Sequence, residues 1–157
     1  MTTRLPALFA ALSLAATGAV AQTAPAAPPP GYDEALAKRL GADDMGMRGY
    51  VFVLLKTGPN RMPDGDGRNA MFRGHFANIQ RLADEGKLVQ AGPFDGVDGW
   101  RGMFVLAVGS IDEARALVAT DPVIANGEMI AEYHKLYGSA ALMQLTEVHQ
   151  RIAKKQP

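Results

Sequence analysis

The apolar and polar positions between residues 71 and 94 predict an amphipathic helix, a helix stop and a short strand. The apolar positions recur with the helical period and share one face: Phe72, Phe76, Ile79, Leu82 and Ala83. His75 falls inside this apolar stripe, towards one edge, and Asn78 takes the opposite, polar side. Gly86 after the periodic run is typical of a helix C-terminus, and residues 88–91 then read as a strand.

Three further runs rich in β-branched and aromatic residues predict strands. They span residues 50–55, 101–108 and 129–137. The first run is continuously apolar, which is the pattern of a central strand that is buried on both faces. Residues 57–69 are polar and rich in Gly, Pro and Asp, so we expect a flexible loop that leads into the helix of His75.

A second helix is predicted from a capping box, in which Ser110 is the N-cap and Glu113 follows three residues later. The apolar residues of its inner face are Ala114, Leu117 and Val118. Asp121 ends this helix, because a residue before a proline is pushed out of the helical region. Residues 139–155 have the pattern of a terminal amphipathic helix.

The order of these elements is β-α-β-β-α-β with a helix at the end. It predicts an α+β, ferredoxin-like domain, in which an antiparallel four-stranded sheet carries two helices on one face. We assign this domain to residues 49–138 and the C-terminal helix to residues 139–157. The other face of the sheet needs a cover, and the simplest cover is a second copy of the chain. We therefore expect a homodimer of the dimeric α/β-barrel type.

The first 21 residues have the pattern of a secretory signal peptide. They combine an early Arg4, a stretch rich in Ala and Leu, and a small-x-small triplet that ends at Ala21. The alternative is an uncleaved membrane anchor, but the apolar run is shorter than the roughly 20 residues that a spanning helix needs. Cleavage after Ala21 predicts a periplasmic or secreted protein without membrane attachment. Residues 22–48 are predicted to be a Pro/Ala-rich tether with a short helix.

Composition narrows the classes of function. Lys+Arg and Asp+Glu both number 16, so the basic excess that nucleic acids and anionic membranes attract is missing. The chain has no cysteine and three scattered histidines, which gives no zinc spacing. Asp64 opens a segment that resembles a calcium loop, but Asn69 stands at the sixth position and His75 at the twelfth, so the register fails. We predict no metal and no cofactor.

The predicted topology brings one imidazole and one carboxylate together. The two helices run antiparallel, so His75, early in the first helix, lies near Asp121 at the end of the second. A carboxylate beside an imidazole fixes the tautomer of the ring, which suits general acid/base chemistry. The alternatives are that His75 is a hydrogen-bonded core residue and that Asp121 only stops a helix. His134 and His149 are interpreted as structural or surface residues.

Over residues 50–137 the chain resembles the YCII-related family of small, dimeric, ferredoxin-like proteins. The motifs that carry the resemblance are Arg73-x-His75, Glu85-Gly86-Lys87-Leu88 running into Ala91-Gly92-Pro93, Ser110-x-Asp112-Glu113-Ala114, and Asp121-Pro122 with Gly127. The resemblance implies a catalytic His/Asp pair, carried here by His75 and Asp121. The chain departs from the family at Phe76, where a leucine is usual, and at Val123, where an aromatic residue often follows Asp-Pro.

Relatives of this fold include muconolactone isomerase-like proteins and an enzyme that removes chloride from a chlorinated hydroxyquinol. The resemblance therefore implies a cofactor-independent isomerase, lyase or dehalogenase that acts on a small cyclic or aromatic-derived molecule. Arg73, Arg101 and the backbone N–H of Gly92 are the candidates to hold an anionic group of the substrate. One alternative is a non-catalytic dimeric module that binds a small molecule, and another is a structural or interaction role.

Overall fold

A computed structural model of the protein describes residues 29–155. The predicted signal peptide and residues 22–28 of the predicted tether lie outside the described residues. The helices and strands, in chain order, are α1 (Glu34–Leu40), β1 (Met47–Thr57), α2 (Asp66–Asp84), β2 (Leu88–Pro93), β3 (Trp100–Leu106), α3 (Ile111–Val118), α4 (Pro122–Ala125), β4 (Met129–Ser139) and α5 (Leu145–Ile152). Short 3₁₀ turns precede β3 and α5.

The four strands form one antiparallel sheet in the order β2-β3-β1-β4. On one face, Val53 and Leu106 of the sheet share a hydrophobic core with Leu82 of α2 and Val118 of α3. Helices α2 and α3 therefore pack on the same side of the sheet. The predicted ferredoxin-like α+β fold with its terminal helix is confirmed.

The predicted inner face of α2 is wrong by about a quarter turn. The helix buries Met71, His75, Asn78 and Leu82. Phe76, which the apolar pattern placed inside, is 50% exposed. The reason is that His75 has a buried polar partner in Asp121, and Asn78 accepts a hydrogen bond from the exposed Arg81. A buried polar group that is hydrogen-bonded avoids most of the penalty of leaving water.

Several boundaries also differ from the prediction. Helix α2 begins at Asp66, inside the predicted loop. Helix α3 ends at Val118, three residues before Asp121, which instead caps the short helix α4. Strand β4 continues to Ser139, and a 3₁₀ turn separates it from α5, so the terminal helix begins only at Leu145.

The segment between β1 and α2 is tied to the residues before β4. The backbone N–H of Gly58 donates to the Glu128 carbonyl at 2.9 Å, and that of Asn60 donates to the Gly127 carbonyl at 3.0 Å. A Cβ atom on residue 58 would lie 2.1 Å from the Gly127 oxygen, so only glycine allows this approach. The loop that composition marked as flexible is therefore anchored at its start.

The second face of the sheet is partly covered by the chain itself. Tyr50, Val89 and Val105 are buried on that face, and Leu142 and Met143 from the 3₁₀ turn before α5 pack against them. The second copy that we expected to cover this face stays a prediction. Within residues 29–155, no helix has both the length and the apolar character that crossing a bilayer requires.

Candidate active site

His75 of α2 and Asp121 meet in the interior. The distance between His75 Nδ1 and Asp121 Oδ2 is 2.7 Å. Asp121 has no exposed surface, and its other oxygen accepts from the backbone N–H of Val123 at 3.1 Å. Asp121 is thus the N-cap of α4 with Pro122 at the first helical position, a common way to begin a helix. The cap points one carboxylate oxygen at the helix and leaves the other for the imidazole.

The approach of α2 to α4 depends on a small residue. A Cβ atom on Gly74 would lie 3.0 Å from Pro122 Cγ, which is tighter than an ordinary van der Waals contact. Gly74 therefore lets α4 come close to α2, directly beside the contact between His75 and Asp121.

Aromatic rings surround the imidazole. The ring centroid of His75 lies 5.4 Å from that of Phe76, 6.1 Å from that of Phe72 and 6.1 Å from that of Phe104. The Phe72 ring meets the imidazole edge-on, at an interplanar angle of 87°. Only 8% of His75 is exposed, so the His/Asp contact lies in an apolar setting where electrostatic interactions are strong.

The contact assigns different roles to the two nitrogens of His75. An ionised carboxylate only accepts hydrogen bonds, so next to an ionised Asp121 the Nδ1–H of His75 is the donor of this hydrogen bond. The buried side-chain atoms that lack a hydrogen-bond partner in the described part of the chain are Arg68 Nε and Asn78 Nδ2. Nε2 of His75 is neither of these and makes no hydrogen bond to the described residues, so it keeps some contact with solvent. Its lone pair is available to accept a proton.

An ion pair with a fully buried carboxylate joins the same helix to the residue before β4. Arg68 Nη2 donates to Glu128 Oε1 at 2.8 Å, and the backbone N–H of Met62 donates to Glu128 Oε2 at 2.8 Å. The guanidinium of Arg68 also lies over the Phe72 ring, 4.8 Å from its centroid. Phe72 therefore stands between this ion pair and His75.

The surroundings of Glu128 act on its pKa in opposite directions. Burial raises the pKa, whereas the hydrogen bonds from Arg68 and from the Met62 N–H, with the charges of Arg68 and Arg101, lower it. The lowering causes win, so the pKa of Glu128 lies below its ordinary value. Sequence reasoning missed this pair because its partners are 60 residues apart and no motif links them.

The predicted substrate-binding residues lie on three different elements, α2, β2 and β3. Arg73 is exposed and stands two residues before His75, about 200° around the helix. Gly92 and Arg101 lie on the paired strands β2 and β3, where the Arg101 carbonyl accepts from the Phe94 N–H at 3.0 Å. The charge of Arg101 acts on Glu128. The binding roles of these three residues stay predictions.

The other histidines are exposed. His134 of β4 lies beside the ring of Phe52, with centroids 6.4 Å apart, and His149 lies on α5. Within the described residues, no three side chains of His, Cys, Asp or Glu are grouped so that they could hold a metal ion.

Comparisons with known proteins place the chain in a family. The sequence model of the YCII-related domain matches residues 50–134. No curated protein matches the chain. Among solved structures, the chain is similar to 5-chloro-2-hydroxyhydroquinone dehydrochlorinase (TftG) from Burkholderia phenoliruptrix AC1100, in its complex with 2,5-dihydroxybenzoquinone. The two are 22% identical, the match covers 52% of this chain and 90% of that one, and the TM-score is 0.37.

Proposed function

We propose a function from the premise that this chain belongs to the YCII-related family. The protein is a cofactor-independent acid/base enzyme that acts on a small cyclic or aromatic-derived molecule, with His75 as the proton-transfer group and Asp121 as the residue that orients it. The observation that carries this proposal is the 2.7 Å contact of Nδ1 with a fully buried carboxylate, which leaves Nε2 as a proton acceptor.

The proton-transfer step follows from this geometry. Nε2 takes a proton from a carbon or hydroxyl of the substrate, and the imidazolium that forms keeps its Nδ1–H directed at Asp121. The buried carboxylate stabilises the positive charge because little water screens it. In an isomerisation, Nε2 returns the proton to another atom of the substrate. In an elimination, the electron pair that is left behind forms a double bond and an anionic leaving group departs.

The surroundings of His75 support a planar substrate. Three phenylalanine rings lie within 6.1 Å of the imidazole, measured between centroids. Aromatic side chains prefer offset-stacked or edge-on contact with other rings, so a cyclic molecule with few charges suits this site better than a flexible polar one.

Two features of the proposal concern the whole protein. We propose that the chain is exported, on the basis of its N-terminal pattern, and that the mature protein is a homodimer. Support for the homodimer comes from apolar residues that remain at the surface of the sheet, such as Ile130, which is 46% exposed. The mass of the purified protein in solution tests the homodimer, because a stable monomer would contradict it.

The test combines a spectroscopic readout with an assay of turnover. Long-range ¹H–¹⁵N spectra of the wild type should show His75 protonated at Nδ1. Asp121→Asn should populate the other tautomer, because the amide of asparagine does not require a donor at Nδ1. The purified protein should convert a member of a panel of lactones and halogenated phenols, and His75→Ala should lose that conversion by about 10²–10⁴-fold. An unchanged rate in His75→Ala would end the acid/base proposal.

The second candidate is a binding module that holds a small molecule beside His75. The observation that favours it is the group of phenylalanine rings around the imidazole, which offers apolar contacts to such a molecule. In this case a panel compound binds with a measurable Kd and is recovered unchanged after long incubation.

A further inference from the structure

Helix α2 meets the corner before α4 at three points. Gly74 packs on Pro122, His75 bonds to Asp121, and Asn78 bonds to Thr120. From one contact to the next, the residue numbers on α2 increase while those at the corner decrease, as antiparallel packing requires. The third contact is polar, lies one helical turn beyond His75, and belongs to neither the proton-transfer pair nor the apolar core.

The contact between Asn78 and Thr120 is part of a small network. Arg81 Nη2 donates to Asn78 Oδ1 at 2.7 Å and to Thr120 Oγ1 at 3.0 Å. The Thr120 hydroxyl lies 3.0 Å from Asn78 Oδ1 and 2.7 Å from the Leu117 carbonyl oxygen. Because a guanidinium is only a donor, Oδ1 and not Nδ2 faces Arg81, which fixes the orientation of the Asn78 amide.

The burial of the Asn78 amide does not favour the stability of the fold. Asn78 is 8% exposed, and its Nδ2 has no hydrogen-bond partner among the described residues. A buried donor without a partner is destabilising, and an apolar side chain of similar size would avoid this cost. What Asn78 provides is therefore Oδ1, which accepts from Arg81 and shares the single hydroxyl hydrogen of Thr120 with the Leu117 carbonyl. This network restrains the residue directly before Asp121.

We propose that Asn78, through Thr120, is a positioning residue that holds the Asp121 carboxylate against His75 Nδ1. Asp121 is then fixed on both sides, by the network on Thr120 and by the packing of Pro122 on Gly74. An effect of this positioning on turnover rests on the proposed function. The positioning of His75 itself does not rest on it.

The test measures the His75 tautomer in the free protein, which needs no substrate. Thr120→Val keeps the shape of the side chain and removes the hydroxyl, and Thr120→Ser keeps the hydroxyl. In Thr120→Val and in Asn78→Leu, the ratio of Nδ1–H to Nε2–H tautomers should fall by about fivefold, the factor that one typical net hydrogen bond contributes. Thr120→Ser should behave as the wild type.

Two matched controls separate positioning from general disturbance. Asn69→Leu changes an exposed residue of the same helix, and Thr146→Val changes a threonine on α5, and both should keep the wild-type ratio. Asn78→Leu should also keep or raise Tm, since it removes an unpaired buried donor. A wild-type tautomer ratio in Thr120→Val, or equal effects of the valine and serine variants, would overturn the proposal.

The outcomes also separate this proposal from the proposed function. A shifted tautomer ratio in a protein that converts no panel compound supports positioning and rejects the acid/base enzyme. Conversion that persists together with an unshifted ratio supports the enzyme and rejects positioning. If a conversion is found, Thr120→Val should lower kcat and leave KM nearly unchanged, because the variant does not alter the surface that binds the substrate.

Discussion

Helices α2 and α3, which share one face of the sheet, bury different kinds of side chain. Helix α3 buries Ala114 and Val118, an apolar stripe. Helix α2 buries two polar residues, His75 and Asn78, between apolar ones. The inner face of α3 follows from its apolar pattern, and that of α2 does not. A polar residue with a buried partner can therefore set the rotation of a helix, even where that rotation leaves a phenylalanine exposed.

Leu82→Ala tests how much apolar packing of α2 contributes to the free energy of unfolding. Leu82 is fully buried in the core that both helices share. Its truncation should lower the free energy of unfolding by about 2–5 kcal/mol, because the cavity adds to the lost burial. Chemical denaturation measures the change, and Gln80→Ala on the exposed side of the same helix is the control. A loss below about 1 kcal/mol would show that the polar contacts alone hold α2 in place.

Glu128→Gln tests how much polar contacts of α2 contribute to the free energy of unfolding, because it removes the charge that pairs with Arg68. We expect a loss of about 1–3 kcal/mol at neutral pH, because the partly buried guanidinium of Arg68 keeps only its ion pair with the exposed Asp64.

The pH dependence of this loss has a definite sign. Because the pKa of Glu128 is lowered in the folded protein, its carboxylate stabilises the fold above its ordinary pKa of 4.5. That stabilisation is lost as the pH falls through the lower, folded-state pKa. The difference between wild type and Glu128→Gln should therefore be largest at neutral pH and shrink below about pH 4. Unfolding curves across this range measure it, with the exposed Glu147→Gln as control, and a difference that grows towards acid would contradict the assignment.

The smallest effect is expected from Phe76→Ser. Phe76 is half-exposed, although the apolar pattern places it inside. Its replacement should change the free energy of unfolding by no more than about 0.5 kcal/mol, as is usual at the surface. Thermal unfolding of the variant beside Phe104→Ser, which truncates a buried ring on the sheet, provides the contrast. A large loss in Phe76→Ser would mean that another part of the protein covers this ring.

Sequence reasoning reached the architecture because strand runs and a capping box are local signals. Ser110 accepts from the Glu113 N–H at 3.1 Å, as a capping box requires. The nearness of His75 and Asp121 followed from topology, since antiparallel helices bring their opposite ends together. The role of the pair in chemistry stays a proposal.

The remaining details depend on contacts between residues far apart in the chain. Asn78 bonds to Thr120 and Glu128 to Arg68, and no spacing in the sequence marks either pair. The close approach of Gly58 to Gly127 likewise joins two segments that composition treats as independent loops. Such pairings are decided by how the packed chain satisfies buried polar groups, which a local pattern does not report.

The cover that Leu142 and Met143 place over Tyr50, Val89 and Val105 sets a limit on assembly. Leu142 and Met143 occupy that part of the sheet, and a truncation before Leu142 would expose the apolar side chains beneath them to solvent. A neighbouring subunit that docks on this face would meet the uncovered part around Ile130 instead.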